Sequence, residues 1–243
     1  MQKTLALVLK KQNLGETDRI ITVLSPTLGK KRIVAKAVRR PLSKLAGHLD
    51  TLMLTQIILT DQDVLPRVTS AVLAEGFETI RGSLKLATKA FAITKLVERL
   101  VLEDVPNRQI FAVSVEALSR LNSEEKWSAI WLKYLSQLTD NLGVGLSNWR
   151  CLRCNEPVVD DASFVVSERR LVCGKCNEEF AGPTIPMATN SIKLLSIVRT
   201  KPFSMLRRVN LPTLNALQVE EILLREITDW MNRPWSEYGA IAR

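Results

Sequence analysis

Four cysteines, the only ones in this chain of 243 residues, form two Cys-x-x-Cys pairs with 18 residues between them. The pairs are Cys151 with Cys154 and Cys173 with Cys176. Each pair holds two thiolates close together, and a hairpin between the pairs would bring all four sulfurs around one metal ion. The spacing therefore predicts a zinc ribbon over residues 150–181 that binds one structural Zn²⁺ per chain.

Other uses of these cysteines fit the sequence less well. Disulfides are disfavoured because the apolar run at residues 4–9 is too short for a secretory signal. A thioredoxin-like redox site explains one pair and leaves the second without a role. Catalytic zinc needs an open coordination position, which four thiolates would fill. Ligation of an iron–sulfur cluster stays open, although its usual cysteine spacings differ.

The residues before about position 70 have the pattern of a small β-structure. Their apolar runs are short, rich in β-branched residues and separated by turns, as at 25–30, where Gly29 can adopt a positive φ. Five strands are predicted, at residues 4–9, 19–24, 32–38, 49–59 and 64–68, with a break at 61–63. Closing such a sheet hides its edges. The prediction is a five-stranded OB-fold β-barrel over residues 1–70.

From about residue 71 the apolar period becomes that of helices. Asn107 is the expected N-cap of one helix, and Ser123 is the expected N-cap of the next. Apolar stripes at helical spacing cover residues 86–101, 127–142 and 214–231. The predicted fold class is thus α+β, with the OB-fold barrel followed by an α-helical domain over residues 71–243 that the zinc ribbon interrupts.

The formal charge of +9 is concentrated at the start of the chain. Residues 1–48 contain eleven Lys and Arg against two acids, and the remaining 195 residues are balanced. A localised excess is typical of a polyanion-binding surface, and a merely solvated basic face is the alternative. The residues predicted to bind nucleic acid are Lys10, Lys11, Arg19, Lys30, Lys31, Arg32, Lys36, Arg39, Arg40 and Lys44.

The predicted barrel contains no aromatic residue, since the first Phe, Trp or Tyr in the chain is Phe77. Nucleic-acid-binding OB-folds that stack bases on aromatic rings gain about 1 to 3 kcal/mol per base. This segment has no ring to offer. Binding should therefore depend on phosphate neutralisation, be nearly independent of base sequence, and weaken steeply with salt.

The sequence lacks the common motifs of catalysis. It has neither a G-x-x-x-x-G-K-[ST] run nor a G-x-G-x-x-G run. His48 is the only histidine, and its turn-like setting favours an exposed or capping role over that of a general base. Pairs of adjacent acids have no metal-ligand pattern beside them; they occur at 103–104, 124–125, 160–161, 178–179 and 220–221. We therefore expect that the protein is not an enzyme.

Two stretches near the N-terminus are distinctive: G-E-x-D-R-I at residues 15–20 and A-K-x-x-R-R-P-x-S at residues 35–43. Together with Gly29-Lys30 and the run at 45–47, they resemble the opening of the bacterial DNA repair protein family RecO. The order of parts is similar as well, with an OB-fold, a helical domain and a four-cysteine zinc site. The position before the turn after the second strand, usually apolar or aromatic in the family, is Leu24 here.

The resemblance implies a non-catalytic recombination mediator. Members of the family bind single- and double-stranded DNA and anneal complementary strands. With RecR, and sometimes RecF, they load RecA onto DNA coated by single-strand-binding protein (SSB), whose acidic C-terminal tail they commonly bind. A pocket for that tail would need flanking cations, for which Arg108, Arg120 and Lys133 are candidates. Since no long apolar segment occurs, a cytoplasmic, nucleoid-associated location without a membrane partner is expected.

A second hypothesis is a zinc-ribbon assembly factor associated with RNA or the ribosome. Basic charge, a small barrel and a four-thiolate metal site would suit such a protein equally well. Annealing of complementary DNA without ATP would favour the mediator. Co-purification with ribosomal RNA, without annealing, would favour the assembly factor.

Overall fold

The structure is a computed structural model that describes residues 1–60, 65–123, 125–145, 149–180, 182–206, 209 and 211–231, with the backbone alone for 228–231. The predicted break at 61–63 lies outside these ranges. The chain forms two compact units, Met1–Glu124 and Glu125–Ala240. Unit 1 holds the predicted barrel with the helices that follow it directly, and unit 2 holds the cysteines.

Unit 1 begins with a five-stranded antiparallel sheet in the order β3-β2-β1-β4-β5. A parallel bridge joins Val34 to Arg67, and the Val34 amide donates to the Pro66 carbonyl at 2.9 Å, which connects β3 to the start of β5 and closes the sheet. Closure between the two edge strands of the sheet, β3 and β5, confirms the predicted OB-fold barrel. The strands are β1 (Gln2–Leu14), β2 (Asp18–Ser25), β3 (Gly29–Ala35), β4 (Leu54–Leu59) and β5 (Val68–Glu75).

Three strand predictions are shifted along the chain. Residues 36–38 were expected to belong to the third strand, but β3 begins three residues earlier than predicted and ends at Ala35, where a turn follows. Residues 49–53 were expected to belong to the fourth strand, but they form turns after a short 3-10 helix at Ala46–His48. Leu52 in this stretch has a φ of 65°, which interrupts an extended strand. The last strand continues to Glu75, seven residues beyond the predicted end.

Unit 1 continues with three helices, α1 (Glu78–Gly82), α2 (Leu84–Leu100) and α3 (Arg108–Asn122). The Asn107 side chain accepts a hydrogen bond from the Ile110 amide at 2.9 Å, which confirms the predicted N-cap. Ser123 was expected to start the next helix. Its amide instead donates to the carbonyls of Ser119 and Arg120, so that Ser123 closes α3.

The barrel is packed on both sides of its central strands. Alternate residues such as Val8, Ile21 and Ile33 point into the barrel and are fully buried. Leu7 and Leu24, which point the opposite way, are also fully buried, because helix α2 packs on β1 and α3 packs on β2. One end of the outer barrel face is therefore covered within unit 1, and this limits which cations on it can meet a ligand.

Unit 2 combines a small sheet with helices. Its elements are α4 (Trp127–Asn141), β6 (Ala162–Val165), β7 (Arg170–Cys173), α5 (Gly174–Asn177), β8 (Thr184–Met187), α6 (Thr189–Thr200), α7 (Phe203–Leu206) and α8 (Thr213–Met231). The strands form an antiparallel sheet in the order β7-β6-β8, and α4 packs against α6 and α8. Within the ranges given above, none of the helices combines the length and apolar character that crossing a bilayer requires.

Candidate nucleic-acid interface and metal centre

Two short turns carry the cysteines of unit 2. The first turn is closed by the Asn155 amide, which donates to the Cys151 carbonyl at 3.0 Å. The second begins where β7 ends, at Cys173, and continues through α5. The two turns are joined because the Leu152 amide donates to the Leu171 carbonyl of β7 at 2.8 Å. Backbone hydrogen bonds therefore bring the two cysteine pairs together.

Gly174 lets the second turn approach the segment before β6. Its amide donates to the Asp161 carbonyl at 2.6 Å. A Cβ atom at this position would lie 3.2 Å from that carbonyl oxygen and 3.3 Å from the Asp161 Cβ. A residue with a side chain here would therefore require the two segments to move apart by a few tenths of an ångström.

The four sulfurs are spaced as ligands of one metal ion. All four Sγ atoms lie within 4.8 Å of one another, and those of Cys154 and Cys173 are 3.9 Å apart. A tetrahedron with metal–sulfur bonds of about 2.3 Å has edges of about 3.8 Å. The four thiols therefore fit one tetrahedral ion and would leave it no open position.

The thiols differ in how easily they lose a proton. Burial of Cys151 opposes ionisation, but backbone amides near its sulfur, including those of Cys173 and Arg153 at 3.4 Å, lower its pKa to about 6. The hydrogen bond with the Cys173 thiol, together with burial, raises the pKa of Cys176 to about 12. A bound cation would favour the thiolate form of all four.

Lys30 is the least accessible of the ten cations predicted to bind nucleic acid. It is 8% exposed, and its Nζ donates to the Glu98 carbonyl in the last turn of α2 at 2.5 Å. Burial lowers the pKa of Lys30, while the charges of Glu103 and Glu98 oppose that effect. Its contacts link β3 to the end of α2.

Four further lysines of the predicted set are paired with carboxylates. Lys10 and Lys31 contact Glu98 and Asp104, at 3.0 Å and 2.6 Å, on the α2–α3 side of unit 1. The two other pairs are Lys11 with Asp50 and Lys36 with Asp18, the latter at 2.7 Å. Two of these four acids, Glu98 and Asp104, are distant in sequence from the basic segment, so that the charge excess of residues 1–48 overstates the charge available on the surface.

The five arginine and lysine side chains that remain have no carboxylate partner among the residues the structure describes. Arg32, Arg40 and Lys44 are exposed. Arg19 donates to the Asn13 side chain at 3.3 Å, and Arg39 donates to the Gly15 carbonyl at 3.2 Å. These five cations form the part of the predicted site that is available to a polyanion.

Most of the exposed cations lie on one ordered loop after β3, which we call the cationic loop (residues 36–44). Successive turns stabilise it, because the Arg40 amide donates to Ala37 at 3.2 Å and the Ser43 amide donates to Arg40 at 3.0 Å. The loop thus carries Arg39, Arg40 and Lys44, and all three are exposed.

One residue considered for an SSB-tail pocket does not fit that role. Lys133 is only 4% exposed, and its Nζ donates to the carbonyls of Val198 and Arg199 at the end of α6. The prediction for Lys133 is therefore wrong, because the side chain joins two helices inside unit 2. Arg120 is paired with Glu116 at 2.9 Å, and Arg108 is exposed.

Comparison with known proteins identifies the family. The protein-family model described as Recombination protein O N terminal matches residues 1–77. The family model described as Recombination protein O C terminal matches residues 81–230. A protein of Desulforamulus reducens named DNA repair protein RecO is 30% identical over 239 residues, covering 96% of this chain and 87% of the relative. A protein of the same name from Dehalococcoides mccartyi strain BAV1 is 28% identical over 211 residues, covering 86% and 82%. The chain therefore belongs to the RecO family.

Proposed function

We propose that this protein is a non-catalytic, DNA-binding recombination mediator in DNA repair. It binds single- and double-stranded DNA, anneals complementary strands, and acts with RecR in loading RecA onto SSB-coated DNA. Membership of the RecO family supports this role. The observation that carries the DNA contact is the group of exposed, carboxylate-free cations on an OB-fold barrel without aromatic rings.

The proposed DNA contact is narrower than the basic segment as a whole. It consists of Arg19, Arg32, Arg39, Arg40 and Lys44, whose guanidinium and ammonium groups can reach phosphates without breaking an ion pair with a described carboxylate. Lys30 is assigned a structural role instead, because contact with DNA would expose the Glu98 carbonyl that it caps.

Annealing follows from this chemistry. Two complementary strands repel each other through their phosphates, and cations that neutralise those phosphates reduce the repulsion. Phosphate contacts leave base edges free, and no ring in residues 1–76 competes for the bases by stacking. A surface of this kind lets the strands pair on the protein, and the reaction needs no nucleotide hydrolysis.

The metal proposed for the four-cysteine centre is one structural Zn²⁺ per chain. Four thiolates in a small tetrahedral space are the ligand set that structural zinc prefers. Cys151, Cys154, Cys173 and Cys176 would hold it, and its charge would fix the two cysteine turns against β6 and β7. Four thiolates would fill the coordination sphere of the ion and leave no open position for water or substrate, which is consistent with a role in stability alone.

The proposed partners follow from the family. They are RecR and the C-terminal tail of SSB, with RecA and RecF reached indirectly through the same assembly. The proposed location is the bacterial cytoplasm, in association with the nucleoid.

A strand-annealing assay tests the proposed function. The variant Arg40→Glu/Lys44→Glu should slow annealing about tenfold or more, because it places like charges where phosphates bind. Lys193→Glu/Lys201→Glu is the matched control, since both side chains are exposed in unit 2 and the change in net charge is the same. The control should anneal at the wild-type rate.

Two results would contradict the proposal. Equal loss of annealing in both double variants would mean that net charge, and not this surface, controls the reaction. A wild-type protein that does not anneal DNA and co-purifies with ribosomal RNA would be the assembly factor considered above.

A further inference from the structure

An acidic residue lies at the base of the cationic loop. Asp18 is the first residue of β2, and its side chain is 18% exposed. The carboxylate accepts hydrogen bonds from the Lys36 Nζ at 2.7 Å, the Ala37 amide at 2.7 Å and the Thr17 hydroxyl at 3.1 Å. Two of these three donors belong to the first residues of the loop.

The bond to Ala37 holds the loop in a conformation that its sequence does not favour. Ala37 has a φ of 51°, in the left-handed region that residues other than glycine rarely adopt. This turn directs the chain back over the β1–β2 connection. There the Arg39 amide donates to the Thr17 carbonyl at 2.9 Å, and the Arg39 side chain reaches Gly15. The start of the loop is therefore anchored on residues 15–18.

We propose that Asp18 is a positioning residue for DNA binding, which holds the cationic loop in the arrangement that presents Arg39, Arg40 and Lys44 to phosphates. The inference rests on the proposed DNA-binding function. A carboxylate so close to a polyanion site would by its charge alone oppose binding. Here the Lys36 ammonium balances that charge, and the carboxylate orders the loop in advance, so that less conformational entropy is lost when DNA binds.

The ionisation of Asp18 is consistent with this role. The hydrogen bonds from Lys36 and from the Ala37 amide lower its pKa from 3.8 to about 2. The carboxylate therefore keeps its charge, and its hold on both donors, at every pH at which DNA binding would be measured.

The test depends on the sign of a change in affinity. Asp18→Ala and Glu16→Ala each remove one negative charge from the same short stretch of chain. Glu16 is exposed, and its side chain forms no hydrogen bond or ion pair with the described residues. If charge alone matters, both variants bind single-stranded DNA more tightly. If Asp18 positions the loop, Glu16→Ala binds about twofold more tightly while Asp18→Ala binds about tenfold more weakly.

Two additional measurements keep the result interpretable. The dependence of affinity on salt should become shallower in Asp18→Ala, since fewer phosphates are contacted at once, and should stay unchanged in Glu16→Ala. Asp18→Asn keeps an oxygen for the Ala37 amide and loses the charge that pairs with Lys36, so its affinity should lie between those of the wild type and Asp18→Ala. Asp18→Asn also provides the test if Asp18→Ala fails to fold.

The outcomes separate this inference from the function on which it rests. A wild-type protein without affinity for DNA would overturn the proposed function and the inference together. A wild-type protein that binds DNA, with Asp18 variants that bind as tightly as Glu16→Ala or more tightly, would overturn the inference alone.

Discussion

At the residue scale, three adjacent cations of β3 have different surroundings. Lys30 is buried against the end of α2, Lys31 is paired with Asp104, and Arg32 is exposed with no carboxylate partner in the described part of the chain. They are equivalent in the sequence because a run of like charges says nothing about which side chains the rest of the chain will cover. Their roles should therefore separate on mutation.

Lys30→Glu should lower the free energy of unfolding by about 3 kcal/mol, because it buries a carboxylate near Glu98 and Glu103 and leaves a helix-end carbonyl without its donor. Arg32→Glu should change it by less than about 0.5 kcal/mol, since the side chain is exposed. Urea denaturation measures both values. For DNA affinity we expect the opposite emphasis: Arg32→Glu should stay folded and lose affinity for DNA. Equal stability of the two variants would contradict the structural role of Lys30.

Some residue-scale features were predictable because their signals are local. Gly29 was expected to allow a positive φ, and it has a φ of 71°. The structure adds a tertiary reason, since a Cβ there would lie 2.2 Å from the Val105 carbonyl oxygen. The cap at Asn107 was predicted correctly. Ser123 was assigned to the wrong helix, because it lies between two helices and either could use it.

At the element scale, the four-cysteine ribbon shows how spacing and backbone pairing combine. The hairpin expected between the cysteine pairs is present as β6 and β7. The pairing of these two strands brings Ala162 opposite Cys173, next to the first cysteine turn. The spacing of the cysteines thus predicted that the four thiols group together. The register of the β6–β7 hairpin places the second cysteine pair beside the first.

Cys151→Ser should remove the metal and destabilise the ribbon while leaving DNA affinity nearly unchanged. Cys151 is fully buried and its sulfur accepts from several backbone amides, so that its loss removes the most enclosed of the four ligands. Elemental analysis of the purified wild-type protein should find one equivalent of zinc, and the variant should contain almost none.

Thermal denaturation of the wild-type protein after chelation is the control for this variant, and it should reproduce the lowered melting temperature. Iron in place of zinc would contradict the assignment of the metal. A large loss of DNA affinity in folded Cys151→Ser would contradict a purely structural ribbon.

At the scale of the whole molecule, the charge asymmetry of the sequence is partly neutralised by folding. Five of the ten predicted DNA-binding cations are buried or paired with carboxylates: Lys10, Lys11, Lys30, Lys31 and Lys36. The other five remain available. The number of phosphates that the protein neutralises should therefore be about half of what the sequence suggests.

The salt dependence of binding measures that number. For single-stranded DNA the logarithm of the binding constant falls with the logarithm of salt by about 0.7 per neutralised phosphate, so five cations give a slope of about −3.5 and ten give about −7. Titration of an oligonucleotide between about 50 and 200 mM salt distinguishes the two values. A slope near −7 would mean that DNA displaces the internal carboxylates, and a slope near zero would contradict electrostatic binding.

The organisation of the chain also depends on scale. The change of apolar period near residue 71 marks the end of the barrel in the sequence, whereas the compact units divide after Glu124. Helices α1 to α3 lie on the barrel's side of that division, because α2 packs on β1 and α3 packs on β2. Periodicity reports the type of an element and carries no information about which partner it covers.

The sequence by itself determined the five strands, the helices, the grouping of four cysteines and the absence of aromatic rings from the barrel. Each of these follows from composition, short-range periodicity or fixed spacing. Only the tertiary structure decided which cations are available. Lys10 and Lys31 are paired with Glu98 and Asp104, which are more than sixty residues away from them along the chain. The tertiary structure also decided the position of Asp18, whose carboxylate joins the loop that begins eighteen residues later. Charge–charge contacts depend on distance in space, and in this protein folding selects a few phosphate-binding cations from a long basic segment.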